Sequence, residues 1–541
     1  MEKLIDRDGP RFPAPGKTPR EDTAAVMKFY KLPQAFPPAV VAEAKKAARE
    51  LDRIDPKRDG RLDLRKKFIF TCDPQTARDY DDALSLETDR AGNRVLGVHI
   101  ADVSHFVRPG SALDREAYKR STSVYLCDRV VPMLPEELCN GVCSLVPDED
   151  RLAFSVFMTF DKNGEMVARR FAKSVIRSKA RFTYEQVMAI LEGREAPGRK
   201  QPKAALKAIR AIGALAQQLR AKRFAAGALD LETPDAEVLL DDDGEMTGIA
   251  LRPYDESHQM VEECMVSANE AVARELWTHG VKILARLHET PDPEKLLMLR
   301  AEMRGLGVKM GNIENPKVFA QFLKSIKKNP LYPTLATMVL RSMKRAVYDS
   351  KAIGHFGLAK KYYAHFTSPI RRYPDLTLHR QLAAYVAKRD AKVPPKLLAK
   401  WAEHTSEREE VATEAERSLL EIKKYRLLEA QVAARDVRDY DAVVSKCMPF
   451  GCFVEIPELA VSGLVHVSLL SRRFVTFNES DQTLSAPGGR TWRVGDRIRV
   501  HVARVDFRDR KLDFVPCDAE ETGQSPRGGK APRGGKRRNG K

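Results

Sequence analysis

The apolar positions follow three rhythms along the chain. Short apolar runs at 68–72, 83–86 and 94–104, separated by charged or turn-forming residues, predict strands. Apolar residues at three- and four-residue spacing predict helices over 38–52, with Val40, Val41, Ala44 and Ala48 along one side, and over 203–226. The same spacing recurs from His258 through Ala273 and across most of 293–350. It then fills a long charged stretch from Pro395 to Ala434 carrying Leu419, Leu420, Ile422, Tyr425 and Leu428. After Asp439 the pattern turns to short alternating runs at 443–445, 451–455, 463–467, 495–500 and 512–514. Five strands in so short a segment suit a small OB barrel. Residues 1–25 and 518–541 are rich in Gly, Pro and charge and read as disordered. The divisions that follow are 1–25, a large α+β body over 26–434, a barrel over 437–517, and the tail 518–541.

Composition narrows the function. The chain has 541 residues, 43% hydrophobic and 31% charged, enough for more than one core. No apolar run reaches the length of a membrane span, and the N-terminus has no signal-peptide core, so a cytoplasmic protein without membrane contact is expected. A net charge of +18 calls for a polyanionic partner. The eight cysteines are scattered. Cys139 and Cys143 have no second Cys/His pair nearby, so free thiols in a reducing compartment are expected rather than a zinc site.

The chemistry concentrates between the first two strands, where Asp73, Asp79, Asp81 and Asp82 lie within ten residues. An acidic surface turn is the plain alternative. An EF-hand is excluded, because the loop lacks its central Gly and its twelfth-position Glu. Flanking strands supply a rigid frame that can aim carboxylates at a cation, and hard oxygen donors suit Mg²⁺, with Mn²⁺ as the alternative. Further along, Ser368-Pro369-Ile370-Arg371-Arg372 places two arginines after a rigid turn, and a guanidinium grips phosphate oxygens in pairs. His355, His365 and His379 fit no metal-ligand spacing and read as structural.

The segment Thr71-Cys72-Asp73-Pro74-Gln75-Thr76-Ala77-Arg78-Asp79-Tyr80-Asp81-Asp82-Ala83 resembles the catalytic signature of the ribonuclease II / ribonuclease R family, Thr-x-Asp-Pro-x-x-Ala-x-Asp-x-Asp-Asp-Ala. The barrel segment Gly463-Leu464-Val465-His466-Val467-Ser468 resembles an S1 RNA-binding domain. Its continuation, with Val-Gly-Asp and Arg-Lys-Leu-Asp-Phe, points to the ribonuclease R branch. The resemblance implies an RNB catalytic domain of mixed helices and sheet around an RNA channel, then an S1-type OB barrel. It implies a 3′–5′ exoribonuclease that hydrolyses single-stranded RNA processively to nucleoside 5′-monophosphates in RNA turnover and quality control. The alternative is a catalytically inactive RNB-fold protein that only binds RNA.

By the same resemblance, Asp73, Asp79, Asp81 and Asp82 hold the metal. Asp81 and Asp82 act in catalysis with Arg371, which faces the scissile phosphate. Two metals about 3.5–4 Å apart activate water and stabilise the leaving oxygen in such sites. Tyr125 stacks on the terminal nucleotide, and Tyr184, Glu262 and Arg372 contact RNA, Glu262 through a ribose 2′-hydroxyl. Phe450, Phe453 and His466 form the stacking face of the barrel. The tail, basic and free of acids after Ser525, is expected to bind RNA without sequence preference. Expected partners are single-stranded RNA for a monomeric enzyme, with the ribosome or RNA-decay factors as further candidates. Family members usually carry two cold-shock OB folds ahead of the catalytic domain. Only 72 residues precede Asp73 here, too few for both, so the chain is expected to lack them.

Overall fold

The structure, a computed structural model, describes residues 12–517 apart from 52–54, 58, 196–201, 232–234, 253, 312, 314, 330, 436, 480 and 488. The basic tail and residues 1–11 therefore lie outside the described residues. The chain divides into two compact units, 1–423 and 424–541.

The first unit is built on a seven-stranded sheet. In chain order the strands are β1 (Leu62–Asp63), β2 (Phe70–Cys72), β3 (Asp82–Thr88) and β4 (Arg94–Ala101). After the small hairpin β5 (Val124–Tyr125) and β6 (Val130–Val131) come β7 (Asp150–Phe160), β8 (Met166–Arg177) and β9 (Ala180–Phe182). The spatial order is β1-β8-β7-β4-β3-β2-β9, with β5 and β6 forming a separate ribbon. The sheet is buried on both sides. On one face Phe70, Leu84, Val98 and Phe154 pack against Ile209 and Ile212 of helix Lys203–Ala225 and Met260 and Cys264 of helix Glu256–Thr278. On the other, Ile69, Ala83 and Phe157 pack against Val40 and Ala44 of helix Pro38–Ala48, with Leu113, Leu138 and Ile370. Burial from both sides leaves β7 almost wholly inside, and a strand of that kind carries no alternating pattern. That is why β7 does not stand out in the sequence; β8, mostly half-buried or exposed, escapes it too, without that cause.

The segment 12–25, read as disordered, is placed and partly helical: Pro19–Glu21 forms a 3₁₀ turn and Asp22–Phe29 an α-helix. The cause is a buried ion pair. Asp22 is fully buried and lies 3.1 Å from Lys423 Nζ, which also donates to the carbonyls of Pro19 and Gly244. Composition over 25 residues cannot show a partner 401 positions away.

Helices Pro293–Gly305, Pro316–Ile326 and Tyr332–Ser342 share a separate small core around Leu299, Phe319 and Leu335. Helix Pro395–Ala434 has the bounds the periodicity predicts. Among the described residues, no helix is long and apolar enough to cross a membrane.

In the second unit, Tyr440–Met448, Gly451–Ile456, Val461–His466, Lys511–Pro516 and Arg497–Asp506 close into a barrel in that spatial order. Cys452, Val454 and Val465 point inward, with Phe514 in the centre. A three-stranded sheet of Thr476–Asn478, Thr483–Ser485 and Thr491–Trp492 interrupts the barrel sequence and was not foreseen. Its strands are too short and polar to register as apolar runs.

Candidate active site

Strand β2 ends at Cys72, so Asp73 leaves the sheet at its edge, and β3 begins at Asp82. The loop between them is fastened at several points. Tyr80 N–H donates to Ser144 Oγ (3.0 Å), the Ser144 hydroxyl donates to the Arg78 carbonyl (2.7 Å), and Leu145 N–H donates to the Tyr80 carbonyl (3.0 Å). Arg181, just after β9 begins, donates to the carbonyls of Pro74 and Gln75 at 2.8 Å and lies over the Tyr80 ring. Neither Ser144 nor Arg181 was singled out from the sequence, because each reaches the loop from more than sixty residues away.

Asp81 meets the second motif directly. Its Oδ1 accepts the Ile370 N–H at 3.0 Å, and its Oδ2 lies 3.5 Å from Arg371 Nε. Arg371 also donates to Ser368 Oγ at 3.0 Å, leaving its side chain 43% exposed. The Arg371 carbonyl accepts from Ser123 N–H and Thr122 Oγ1, which anchors the ribbon bearing Tyr125. Glu416 fastens that ribbon from the other side by accepting the Tyr125 N–H at 2.8 Å. The Tyr125 ring stays 42% exposed, and Arg371, Asp79 and Asp81 are among the charges acting on its hydroxyl. Asp81, Arg371 and Tyr125 are thus joined through one set of hydrogen bonds although up to 290 residues separate them.

Arg372 has an internal partner. Its guanidinium forms a two-pronged contact with Asp375, Nε to Oδ2 at 2.9 Å and Nη2 to Oδ1 at 2.8 Å. Asp375 is fully buried and also accepts the Ser368 N–H. With its Nε and Nη2 spent on an internal carboxylate, the guanidinium fixes the Ser368–Ile370 turn. The i,i+3 spacing to Asp375 was the sequence signal for this pairing.

Tyr184 opens helix Tyr184–Leu191 and stacks on His258, and Asp82 and Asp73 act on its hydroxyl. Glu262 accepts from Arg223 Nη2 at 3.0 Å and from the Tyr254 hydroxyl, so both its oxygens already have protein partners. Arg223 is buried and bonds Glu263 as well. In the barrel, Phe453 pairs with Leu464 and Gly451 with His466 across adjacent strands, which puts Phe453 and His466 on the outer face. Phe450 joins them edge-on to Phe453 and is 44% exposed.

The histidines stand apart. His365 meets the Tyr348 hydroxyl, and His379 donates through Nε2 to the Phe366 carbonyl. Burial lowers His355 to about 3 and His379 to about 4, which keeps both neutral. Cys139 and Cys143 are buried free thiols, the former pushed up to about 12 by burial. Among the described residues, the group whose donor atoms converge within 4.8 Å is Asp439, His501 and Cys517 in the second unit. Arg499 pairs with Asp439 there at 2.7 Å and opposes a cation.

No three of the four aspartates bring donor atoms within 4.8 Å of one another. Burial, then Asp82 and Asp81, push Asp73 up to about 8. Burial pushes Asp82 up to about 6 and Asp81 well above the usual carboxylate range, with Arg371 opposing in both cases. Asp73 Oδ2 is buried without a hydrogen-bond partner. Repelling hard-oxygen donors with an unsatisfied buried oxygen fit a divalent cation.

The protonation behaviour gives a direct check. Folding raises these carboxylates, so the folded chain keeps protons that the unfolded chain has already released. Stability contributed below pH 4 is therefore lost as the pH climbs through about 6 and about 8. In chelator, the unfolding midpoint is expected to fall between those two values. Millimolar Mg²⁺ is expected to raise it by a few degrees, more at the higher pH, where protons no longer compete. A midpoint indifferent to Mg²⁺ at both values would remove the cation from this cluster.

Known proteins resemble this chain over most of its length. Residues 61–388 match the RNB domain and 438–514 the S1 RNA binding domain. The chain is 40% identical to ribonuclease R of Thermotoga maritima, over 94% of this chain and 74% of that protein. It is 37% identical to ribonuclease R of Aquifex aeolicus, over 93% and 72%. Among solved structures, Mycoplasma genitalium RNase R in complex with ribose methylated single-stranded RNA matches with a TM-score of 0.83 at 28% identity, over 92% of this chain and 78% of that one. An RNB body carrying the aspartate cluster, followed by an S1 barrel and matched nearly end to end by these relatives, makes this chain a member of the ribonuclease R family.

Proposed function

We propose that the chain is a 3′–5′ exoribonuclease that hydrolyses single-stranded RNA processively to nucleoside 5′-monophosphates, with Mg²⁺ held by Asp73, Asp79, Asp81 and Asp82. The observation that carries this reading is the convergence of Asp81, Arg371 and the Tyr125 ribbon through an ion pair and backbone hydrogen bonds. Bound there, divalent cations supply a water activated at neutral pH and charge relief for the leaving oxygen. Arg371 directs a permanently charged guanidinium at the scissile phosphate, where charge builds up. Tyr125, with its backbone held by Glu416, stacks on the last base and keeps the terminal phosphodiester in register. Stacking tolerates every base, which suits an enzyme that must take each nucleotide in turn.

In the same proposal, Glu262 and Tyr184 contact RNA. Phe450, Phe453 and His466 stack on RNA at the S1 barrel, and the +18 charge attracts the strand. The basic tail adds a salt-sensitive contact. The enzyme acts as a cytoplasmic monomer in RNA turnover and quality control, with the ribosome or RNA-decay factors as partners.

The test is incubation with 5′-labelled single-stranded RNA and Mg²⁺. Full-length RNA is expected to give way to one short end product without a ladder of internal cuts, while DNA of the same sequence persists. A gel shift without degradation would overturn the hydrolytic reading in favour of RNA binding alone. Internal cuts would overturn the exonucleolytic one.

A further inference from the structure

His258 sits in the first turn of helix Glu256–Thr278 and has so far no role beyond its contact with Tyr184. The two rings are stacked, with centroids 3.9 Å apart and planes within 17°. His258 Nδ1 lies 2.9 Å from Asp255 Oδ1. A carboxylate only accepts when ionised, so this bond assigns the proton to Nδ1. Asp255 is itself fixed as the helix cap, accepting the N–H groups of Ser257 and His258 and the Ser257 hydroxyl. The imidazole cannot turn without losing either the stack or this bond.

Tyr184 needs such a support. Its backbone is set by the reciprocal capping of Thr183 and Gln186, but capping does not choose the ring orientation. The ring is only half-buried, and Asp73 N–H donates to the Phe182 carbonyl two residues before it (3.1 Å), which sets Tyr184 beside the aspartate loop. His258 closes one face of the ring. A ring closed on one side by His258 and packed against the core cannot slip between two bases.

We propose that His258, oriented by Asp255, is a positioning residue for the exonuclease, holding the Tyr184 ring in one orientation beside the aspartate loop where RNA is bound. This rests on the RNA-degrading reading above.

The experiment pairs steady-state kinetics on single-stranded RNA with RNA affinity measured by fluorescence anisotropy in an Asp81→Asn background. His258→Ala is expected to raise KM about tenfold, with a smaller effect on kcat, and to weaken affinity in parallel. His258→Phe keeps a flat ring against Tyr184 but loses the Asp255 bond that orients it, so it is expected to recover only part of the loss. It also guards against a folding defect in the alanine variant, which the unfolding midpoint reports. Tyr184→Ala should weaken affinity, and adding His258→Ala to it should cost nothing further, since both act through one ring. Fully additive losses in the double variant would overturn the proposal, as would an unchanged affinity in His258→Ala. If the parent protein binds RNA yet releases no nucleotide, the exonuclease reading fails by itself, while the affinity cycle still decides whether His258 works through Tyr184.

Discussion

Replacing Asp81 by asparagine lowers kcat on single-stranded RNA by roughly a thousandfold while RNA affinity stays within a few fold of the parent. The expectation comes from what the substitution keeps and what it removes. The asparagine oxygen can still accept the Ile370 N–H that Asp81 accepts at 3.0 Å, so the Ser-Pro-Ile turn and Arg371 stay in place. The negative charge, which faces Arg371 at 3.5 Å and belongs to the set proposed to hold the cation, is gone. Asp81→Ala would confuse the two effects, because a buried N–H left without an acceptor costs about 1–3 kcal/mol. Single-turnover kinetics beside a gel shift is the measurement. Loss of binding equal to the loss of rate would mean that Asp81 acts on the fold, and a rate within tenfold of the parent would remove it from the chemistry.

The second large effect is at Arg371. Arg371→Ala is expected to lower kcat by about a hundredfold, and Arg371→Lys to recover only part, since an ammonium cannot span two phosphate oxygens. The loss should also depend on pH. Arg371 favours the ionised forms of Asp81 and Asp82 against their burial. Without it these carboxylates hold their protons to higher pH, and less of the protein is in the form that binds a cation. The variant's rate profile should therefore shift to higher pH, with the deficit larger at the pH near 6 where Asp82 titrates than two units above it. A deficit equal across that range would confine Arg371 to the phosphate. Arg372 serves as the contrast: its fork is bound to Asp375, so Arg372→Ala is expected to lower the unfolding midpoint first and to reduce the rate only through the turn it supports.

Much of the proposed site can be read in the sequence because its chemistry is local. Four aspartates within ten residues, between two apolar runs, need a frame and a counter-charge, and the strands at Phe70–Cys72 and Asp82–Thr88 provide the frame. The barrel was equally legible, since alternating runs with one face inward leave a period of two. What escaped were features whose cause lies outside any local window. β7 is buried on both faces and loses the alternation that marks an exposed sheet. The helix Asp22–Phe29 follows a segment that reads as disordered until Lys423 is placed beside Asp22. Ser144, Arg181, Glu416 and His258 are ordinary polar residues in sequence and acquire a role only through the partner they meet.

The sequence by itself determined which donors could meet a phosphodiester: hard carboxylates in one loop, a guanidinium after a rigid turn, and an S1 barrel to hold the strand. Ligand type and local spacing follow from covalent order, so the chain states them outright. Tertiary structure decided which of two adjacent arginines faces outward, which carboxylates carry raised pKa values, and which ring supports Tyr184. Those outcomes depend on burial and on charges brought together from distant segments. Both are properties of the folded interior and have no counterpart in any stretch of the extended chain.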